Sequence, residues 1–185
     1  MRTHLDHIVR YRPIGKKVLD LGVGRGGFYR DAKARGYDVS GIDVNPKWAK
    51  DGVLLARAEE LPFPDESFDF VNMNEVIEHV DDPDQALSEL HRVLRPGGEA
   101  YVSVPHRFML YDHHYKLPFV NFLPRSFFRK ETDGANGRQN LGDMHYYTFS
   151  GFKKAAHRFT VEDVRGLPFH FLWGTMHVRL VKPKE

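Results

Sequence analysis

Short apolar runs alternate with segments of helical periodicity over the first 104 residues of the chain. Residues 17–28 predict a strand, a tight turn and the start of a helix. Four more strands are predicted at 37–44, 52–56, 67–73 and 99–104, and a helix is predicted at 83–94, before Pro96-Gly97-Gly98. Strands and helices that alternate with right-handed connections predict a mostly parallel, doubly wound α/β sheet.

This regular alternation stops after the fifth predicted strand. Residues 105–148 are rich in aromatic residues, prolines and histidines, and we interpret them as an insertion or substrate-binding lid. A helix at 149–157 and strands at 158–164 and 175–181 then complete a seven-stranded sheet. At this length we expect residues 1–185 to form one domain.

The composition is that of an ordinary globular protein, with 41% hydrophobic and 28% charged residues. The chain has no cysteine, which excludes disulfides, thiolate zinc sites and a cysteine nucleophile, and makes the cytoplasm the expected location. A net charge of +2 argues against a nucleic-acid partner. The sequence shows no recognisable signal peptide, and no apolar run in it is long enough to predict a membrane span.

A glycine-rich turn follows the first predicted strand. Gly22, Gly24 and Gly27 match the GxGxxG pattern of dinucleotide-binding folds, while Gly26 also completes a GxGxG pattern. Asp20 ends the strand two residues before the first of these glycines. A carboxylate there favours a cationic ligand group over a pyrophosphate, because it would repel the phosphates. A nucleoside joined to an amino acid therefore fits better than a dinucleotide.

A second carboxylate ends the second predicted strand. Asp43 follows Gly26 by 17 residues. This is close to the spacing of about 20 residues at which such a carboxylate binds ribose hydroxyls in nucleotide-binding sheets. Both candidate ligand classes contain ribose, so this residue does not separate them.

Several motifs occur in a consistent order between residues 18 and 105. They are VLDLGVGRGG, GIDV, AEELPFPDESFDFV, EVIEHVDDPDQALSELHRVLRPGG and EAYVSVP. Together they resemble the class I S-adenosylmethionine-dependent methyltransferases, especially the group that contains the ubiquinone and menaquinone biosynthesis enzymes. The resemblance implies a Rossmann-like sheet with an antiparallel last strand, and S-adenosylmethionine as the cofactor.

The resemblance also assigns roles to individual residues of the cofactor site. It places Gly22, Gly24 and Gly26 against the methionine part of the cofactor, Asp20 near its amino group, Asp43 at the ribose, Val44 on the adenine face, Ala58 and Glu59 at the adenine edge, and Asn74 near the methyl group. A helix cap is the alternative role for Asn74. Arg57 departs from the family pattern, because an acidic residue is common there. Recognition of the adenine amino group must therefore come from the backbone or from another residue.

The EVIEH segment brings two carboxylates and an imidazole close together in sequence. Glu75, Glu78 and His79 have the spacing i, i+3 and i+4, which predicts one helical face. Similar spacing occurs in some ubiquinone O-methyltransferases and small-RNA methyltransferases that use a divalent metal, and His145 would be a fourth ligand. The segment is also common in relatives that bind no metal, and this metal-free interpretation is favoured.

The predicted lid carries features of an acceptor site. Residues 105–130 contain five basic residues and one acidic residue, and this excess of positive charge favours an anionic small-molecule substrate. His113 and His114 lie beside Asp112, so a carboxylate could orient either imidazole as a general base. The candidate catalytic bases are His79, His113, His114 and His145.

These observations predict a methyltransferase that transfers the methyl group of S-adenosylmethionine to a small molecule, with oxygen as the favoured acceptor atom. Two other functions stay open at this stage. One is an NAD-dependent oxidoreductase, and the other is a non-catalytic protein that binds S-adenosylmethionine.

Overall fold

A seven-stranded sheet forms the centre of the computed structural model, which describes residues 15–107, 111–112, 117–118, 144–165 and 175–184. The strands of this sheet are β1 (Lys17–Leu21), β2 (Asp38–Asp43), β3 (Val53–Leu55), β4 (Phe68–Asn74), β5 (Leu94–Pro105), β8 (Thr160–Arg165) and β9 (Thr175–Val181). Two short strands, β6 (Tyr111–Asp112) and β7 (Leu117–Pro118), pair with each other in a separate sheet.

The strand order of the large sheet is β3-β2-β1-β4-β5-β9-β8. The first five strands pair in parallel, and β9 is antiparallel to both β5 and β8. This arrangement confirms the predicted Rossmann-like, doubly wound sheet with an antiparallel last strand. Because the chain leaves β1 first toward β2 and later toward β4, a crevice opens where the order reverses, at the carboxyl ends of these strands.

Among the described residues three helices pack on the sheet, and local sequence signals explain where two of them begin. They are α1 (Gly27–Ala34), α2 (Pro83–Val93) and α3 (Phe149–Ala155). Helix α2 starts with Pro83 after Asp82, whose carboxylate accepts a hydrogen bond of 3.0 Å from the amide of Gln85. Helix α3 starts in the same way after Thr148. Within the described ranges, no helix has the length and apolar character needed to cross a membrane.

Alternate residues of each strand contribute to two hydrophobic layers. On β1, Val18 belongs to the layer that includes the buried face of α1, whereas Leu19 belongs to the larger layer against α2 and α3. The larger layer contains fully buried residues such as Leu90 and Phe152. Burial on both faces explains why the strands appear in the sequence as nearly continuous apolar runs.

Most observed boundaries lie within two residues of the predicted ones, and β5 is the main exception. The strand begins at Leu94, five residues before the predicted start, because Leu94 pairs with Phe68. Glu99 then pairs with Phe70, so the residues between them form a bulge that contains Gly97 at φ 76°. The Pro-Gly-Gly segment therefore lies inside an irregular strand, although it does follow the end of α2.

The predicted insertion leaves and rejoins the sheet at one place. The amide of Arg107, just after β5, donates a hydrogen bond of 2.9 Å to the carbonyl of Tyr147, just before α3. Of residues 105–148, the described parts are 105–107, 111–112, 117–118 and 144–148, and the remainder lies outside the described residues. We retain the single domain and the role of this segment as a lid as hypotheses.

Candidate functional site

A cleft of about 620 Å³ opens at the carboxyl ends of β1, β2 and β4. Its volume lies within the range of small-molecule sites, about 300 to 1,000 Å³. Predicted cofactor residues on its wall are Gly22, Gly24, Asp43, Val44, Ala58, Glu59 and Asn74. Leu21, Ile42, Asn45, Trp48, Ala56, Arg57, Glu75, Val76, His79, Val80 and Asp81 complete the wall. Seven predicted residues, separated by up to 52 positions in the sequence, thus meet at one cleft.

The glycine turn after β1 has a backbone that depends on glycine. Gly22 has φ 80°, and its amide donates a hydrogen bond of 3.0 Å to the carbonyl of Ile42. A Cβ atom at Gly22 would lie 2.4 Å from Cγ2 of Val76, so only glycine lets the loop after β4 approach this turn. Gly26 has φ 74° and precedes α1, but it is not among the residues that line the cleft.

Asp43 is held in a defined orientation at the end of β2. Its Oδ2 accepts a hydrogen bond of 2.8 Å from the amide of Gly24, and its Oδ1 accepts one of 2.8 Å from the amide of Asn45. The residue is 7% exposed. Each carboxylate oxygen can accept a second hydrogen bond, so two neighbouring hydroxyl groups in the cleft could bind this carboxylate together.

Asp20 occupies a different place from the one that the sequence predicted. We expected its carboxylate to face the ligand, but the residue is 2% exposed and is not part of the cleft wall. Its Oδ1 accepts a hydrogen bond of 2.7 Å from the side-chain amide of Asn72 on β4. Burial raises the pKa of Asp20 to about 7, while the hydrogen bond from Asn72 opposes that shift. Asn72 was missed, although a polar residue within the apolar run of β4 was a visible signal.

Another part of the cleft wall combines apolar and charged residues. Val44 is 65% exposed and Ala58 is buried. The guanidinium group of Arg57 donates hydrogen bonds to the carboxylates of Glu59 and Asp81, the first over 3.2 Å. Asp81 was not predicted from the sequence, because its pairing with Arg57 spans 24 residues.

Asn74 lies on the cleft wall and is joined to β5. Its Oδ1 accepts a hydrogen bond of 2.8 Å from the hydroxyl of Ser103, and that hydroxyl accepts one of 2.9 Å from the amide of Glu75. The short helix that follows begins after Val76 and has no side-chain cap, so Asn74 does not act as its cap. The structure thus excludes the alternative role given to Asn74.

The prediction that Glu75, Glu78 and His79 share one helical face was wrong. Glu75 has φ 53°, a left-handed conformation, and only Ile77–His79 form a single 3-10 turn. The backbone is extended again at Val80, so there is no room for a regular helix between β4 and α2. Within the described part of the chain, no three histidine or carboxylate side chains are grouped so that they could hold a metal ion.

The members of this segment have different surroundings. His79 lies on the cleft wall, with its Nε2 3.9 Å from Oε1 of Glu78. Glu78 is fully buried, and its carboxylate oxygens have no hydrogen-bond partner among the described residues. Burial, together with the charge of Glu75, raises the pKa of Glu78 to about 8.

The four candidate bases are not equivalent in position. The structure places His79 on the cleft wall. The backbone amide of His145 donates a hydrogen bond of 2.9 Å to the carbonyl of Glu78, and His145 is not among the cleft-lining residues. His113 and His114 lie outside the described residues. The assignment of a catalytic base therefore stays a prediction.

Comparison with known proteins gives a consistent result. Residues 19–102 match the family model described as a methyltransferase domain. A ubiquinone/menaquinone biosynthesis C-methyltransferase from Geotalea daltonii is 32% identical over 63% of this chain and 57% of its own length. A ubiquinone biosynthesis O-methyltransferase from Pseudomonas syringae is 37% identical over 50% of this chain and 46% of its own length. The chain thus spans about half the length of the curated relatives it matches.

Solved structures share the fold over the whole chain. A SAM-dependent methyltransferase from Methanosarcina mazei superimposes with a TM-score of 0.70 at 21% identity, and the match covers 100% of both chains. Structural similarity at this identity establishes the fold, and the sequence matches cover the motifs that surround the cleft. The chain therefore has the fold of the S-adenosylmethionine-dependent methyltransferases, and its residues 19–102 match the family model of a methyltransferase domain.

Proposed function

We propose that this protein transfers the methyl group of S-adenosylmethionine to a small-molecule acceptor, with oxygen as the methylated atom. The observation that carries this proposal is the position of Asp43 opposite the glycine turn. Its carboxylate is fixed by two backbone amides at the edge of a cleft that is large enough for a nucleoside.

The cleft offers a suitable partner for each part of the cofactor. The carboxylate of Asp43 would accept hydrogen bonds from the two ribose hydroxyls. Val44 and Ala58 supply an apolar surface for the base, and the turn at Gly22 and Gly24 leaves room for the amino-acid part. Asp20 lies outside the cleft wall, and a cationic amino group bound near the glycine turn would favour the ionised form of its carboxyl group.

The bound cofactor would supply a methyl group on a positively charged sulfur, which is a good leaving group. The protein then has to hold the acceptor in line with this methyl group and to accept the proton of a hydroxyl acceptor. His79 is the base that we favour, because it lines the same cleft as Asp43. We further propose that the cationic lid attracts an anionic acceptor.

Binding of S-adenosylhomocysteine, measured by isothermal titration calorimetry, tests the cofactor assignment. The wild-type protein should bind it, and Asp43→Asn should weaken binding at least about 10-fold, because hydrogen bonds to a charged group are lost. Asp38→Asn is the matched control, since Asp38 begins the same strand and is exposed at its other end. Binding of NADH in place of S-adenosylhomocysteine would refute the proposal.

Methyl transfer from radiolabelled S-adenosylmethionine tests the acceptor. Catechols offer an oxygen nucleophile, and naphthoquinols offer a carbon nucleophile. We expect the label on an oxygen atom of the acceptor, with activity lost in His79→Ala. Labelling of carbon alone would contradict the proposed O-methylation. Cofactor binding without any methyl transfer would favour a non-catalytic role.

A further inference from the structure

Three charged side chains that contact one another line part of the cleft wall. They are Arg57, Glu59 and Asp81. The neighbouring wall is apolar at Val44 and Ala58. The amide of Ala56 donates a hydrogen bond of 3.1 Å to the carbonyl of Asp43, so the backbone that leads to Arg57 starts beside the proposed ribose site.

This arrangement determines where a bound nucleoside would present its base. If the ribose binds Asp43, the base lies along the apolar wall, and its polar edge points toward the three charged side chains. The edge of adenine carries an amino group that donates hydrogen bonds beside a ring nitrogen that accepts them. A hydrogen-bond acceptor near this edge is therefore needed to recognise the amino group.

Arg57 cannot provide this acceptor. A guanidinium group has five N–H donors and no acceptor. Its Nη2 is bound to both Glu59 and Asp81, which holds it between two negative charges. Arg57 therefore neutralises and orients the carboxylates in this group.

The carboxylate of Glu59 already accepts hydrogen bonds from other residues of the protein. Its Oε1 accepts hydrogen bonds from Arg57 and from the backbone amide of Asp81, over 3.2 Å and 2.8 Å. Its side chain is 14% exposed. These bonds attach the loop before β4 to the loop after the 3-10 turn, and they leave this carboxylate little freedom to meet a ligand.

Asp81 is the more exposed of the two carboxylates that bind Arg57. Its side chain is 83% exposed, its backbone amide is held by Glu59, and its Oδ2 is held by Arg57. The bond to Arg57 leaves Oδ1 without a partner among the described residues. An aspartate whose backbone is held at one point, whose side chain is held at another and whose second carboxylate oxygen is available is well suited to bind an amino group.

We propose that Asp81 reads the amino group of adenine in the bound cofactor, and that Arg57 is the residue that positions Asp81. This inference rests on the proposed function, because it assumes a nucleoside cofactor in the cleft. It assigns base recognition to a residue that is 24 positions away in the sequence from Arg57.

Two ligands that differ only at the base edge test this assignment. S-adenosylhomocysteine carries the amino group beside an acceptor nitrogen, whereas S-inosylhomocysteine carries an oxygen acceptor in its place and a proton on the neighbouring ring nitrogen. We expect the wild-type protein to bind the first about 10-fold more tightly, since a carboxylate would face the oxygen unfavourably. In Asp81→Asn the preference should fall to within about 2-fold, because an amide can donate as well as accept.

Two further variants distinguish a loss of adenine recognition from a loss of folding. Asp84→Asn removes a nearby carboxylate that lies in a different groove, and it should keep the wild-type preference. Arg57→Gln should reduce the preference as well, because Asp81 loses the group that orients it. Conversion to asparagine at an exposed position should leave the melting temperature unchanged, which shows that the variant is folded.

Each outcome decides one of the two proposals. If the wild-type protein prefers S-adenosylhomocysteine and Asp81→Asn keeps that preference, the role of Asp81 is refuted and the proposed cofactor stands. A wild-type preference for S-inosylhomocysteine would also refute it, since this result would mean that the donors of Arg57 face the base. If neither ligand binds, the proposed function fails, and this inference fails with it.

Discussion

Replacing Glu78 by glutamine should remove a large part of the pH dependence of stability between pH 6 and pH 8. Glu78 is fully buried, and burial together with the nearby charge of Glu75 raises its pKa from 4.5 to about 8. Between these two values the folded protein holds a proton that the unfolded chain releases. The stability that Glu78 contributes is complete below pH 4.5 and is lost as the pH rises through 8.

The size of this effect follows from the two pKa values. With a pKa of about 8 in the folded state and 4.5 in the unfolded state, the free energy of unfolding should fall by about 2 kcal/mol between pH 6 and pH 8. Asp20 has a raised pKa of the same sign, but it is present in both proteins and cancels in their difference. Glutamine has nearly the same shape and does not ionise, so the variant lacks the contribution of Glu78.

The measurement is urea unfolding at pH 6, 7 and 8, followed by far-ultraviolet circular dichroism. The fall in the free energy of unfolding should be about 2 kcal/mol larger for the wild-type protein than for Glu78→Gln. Glu60→Gln serves as the control, because Glu60 is an exposed glutamate on the loop before β4. Parallel stability curves for the wild-type protein and Glu78→Gln would refute the reasoning.

Two further predictions concern the stability of the framework around the site. Gly22→Ala should lower the free energy of unfolding by about 3 kcal/mol, because it combines a left-handed backbone with a Cβ atom 2.4 Å from Val76. Gly36 has φ 83° but open space around it, so Gly36→Ala should lower the free energy of unfolding by about 1 kcal/mol. Equal losses for Gly22→Ala and Gly36→Ala in urea unfolding would show that the contact with Val76 contributes nothing. Arg92→Ala should cost about 2 kcal/mol, since its guanidinium group binds two carboxylates and the carbonyls of Phe63 and Leu61. Arg35→Ala removes an i,i+4 surface ion pair with Asp31 and should lower the free energy of unfolding by less than about 0.5 kcal/mol. A larger loss in thermal unfolding than for Arg92→Ala would contradict this ranking.

Local signals in the sequence were sufficient to predict the framework. Helix α2 was placed correctly at its first residue, because Asp82 and Pro83 form a cap that needs no distant partner. The glycine turn and Asp43 could be assigned because they follow directly after buried strands, and parallel strands bring their carboxyl ends to one edge. The order of the elements predicted the doubly wound sheet, and the resemblance to the methyltransferases implied its antiparallel last strand.

Contacts between distant segments decided the details of the site. The sequence alone could not show that Asn72 places a hydrogen bond on Asp20, or that burial separates Glu78 from its neighbours Glu75 and His79. The ion pair between Arg57 and Asp81 likewise joins two loops that meet only in the folded chain. Side-chain periodicity reports the face of an element on which a residue lies. The distance to a partner, the degree of burial and the resulting pKa depend on how the elements pack together, and these properties exist only in the tertiary structure.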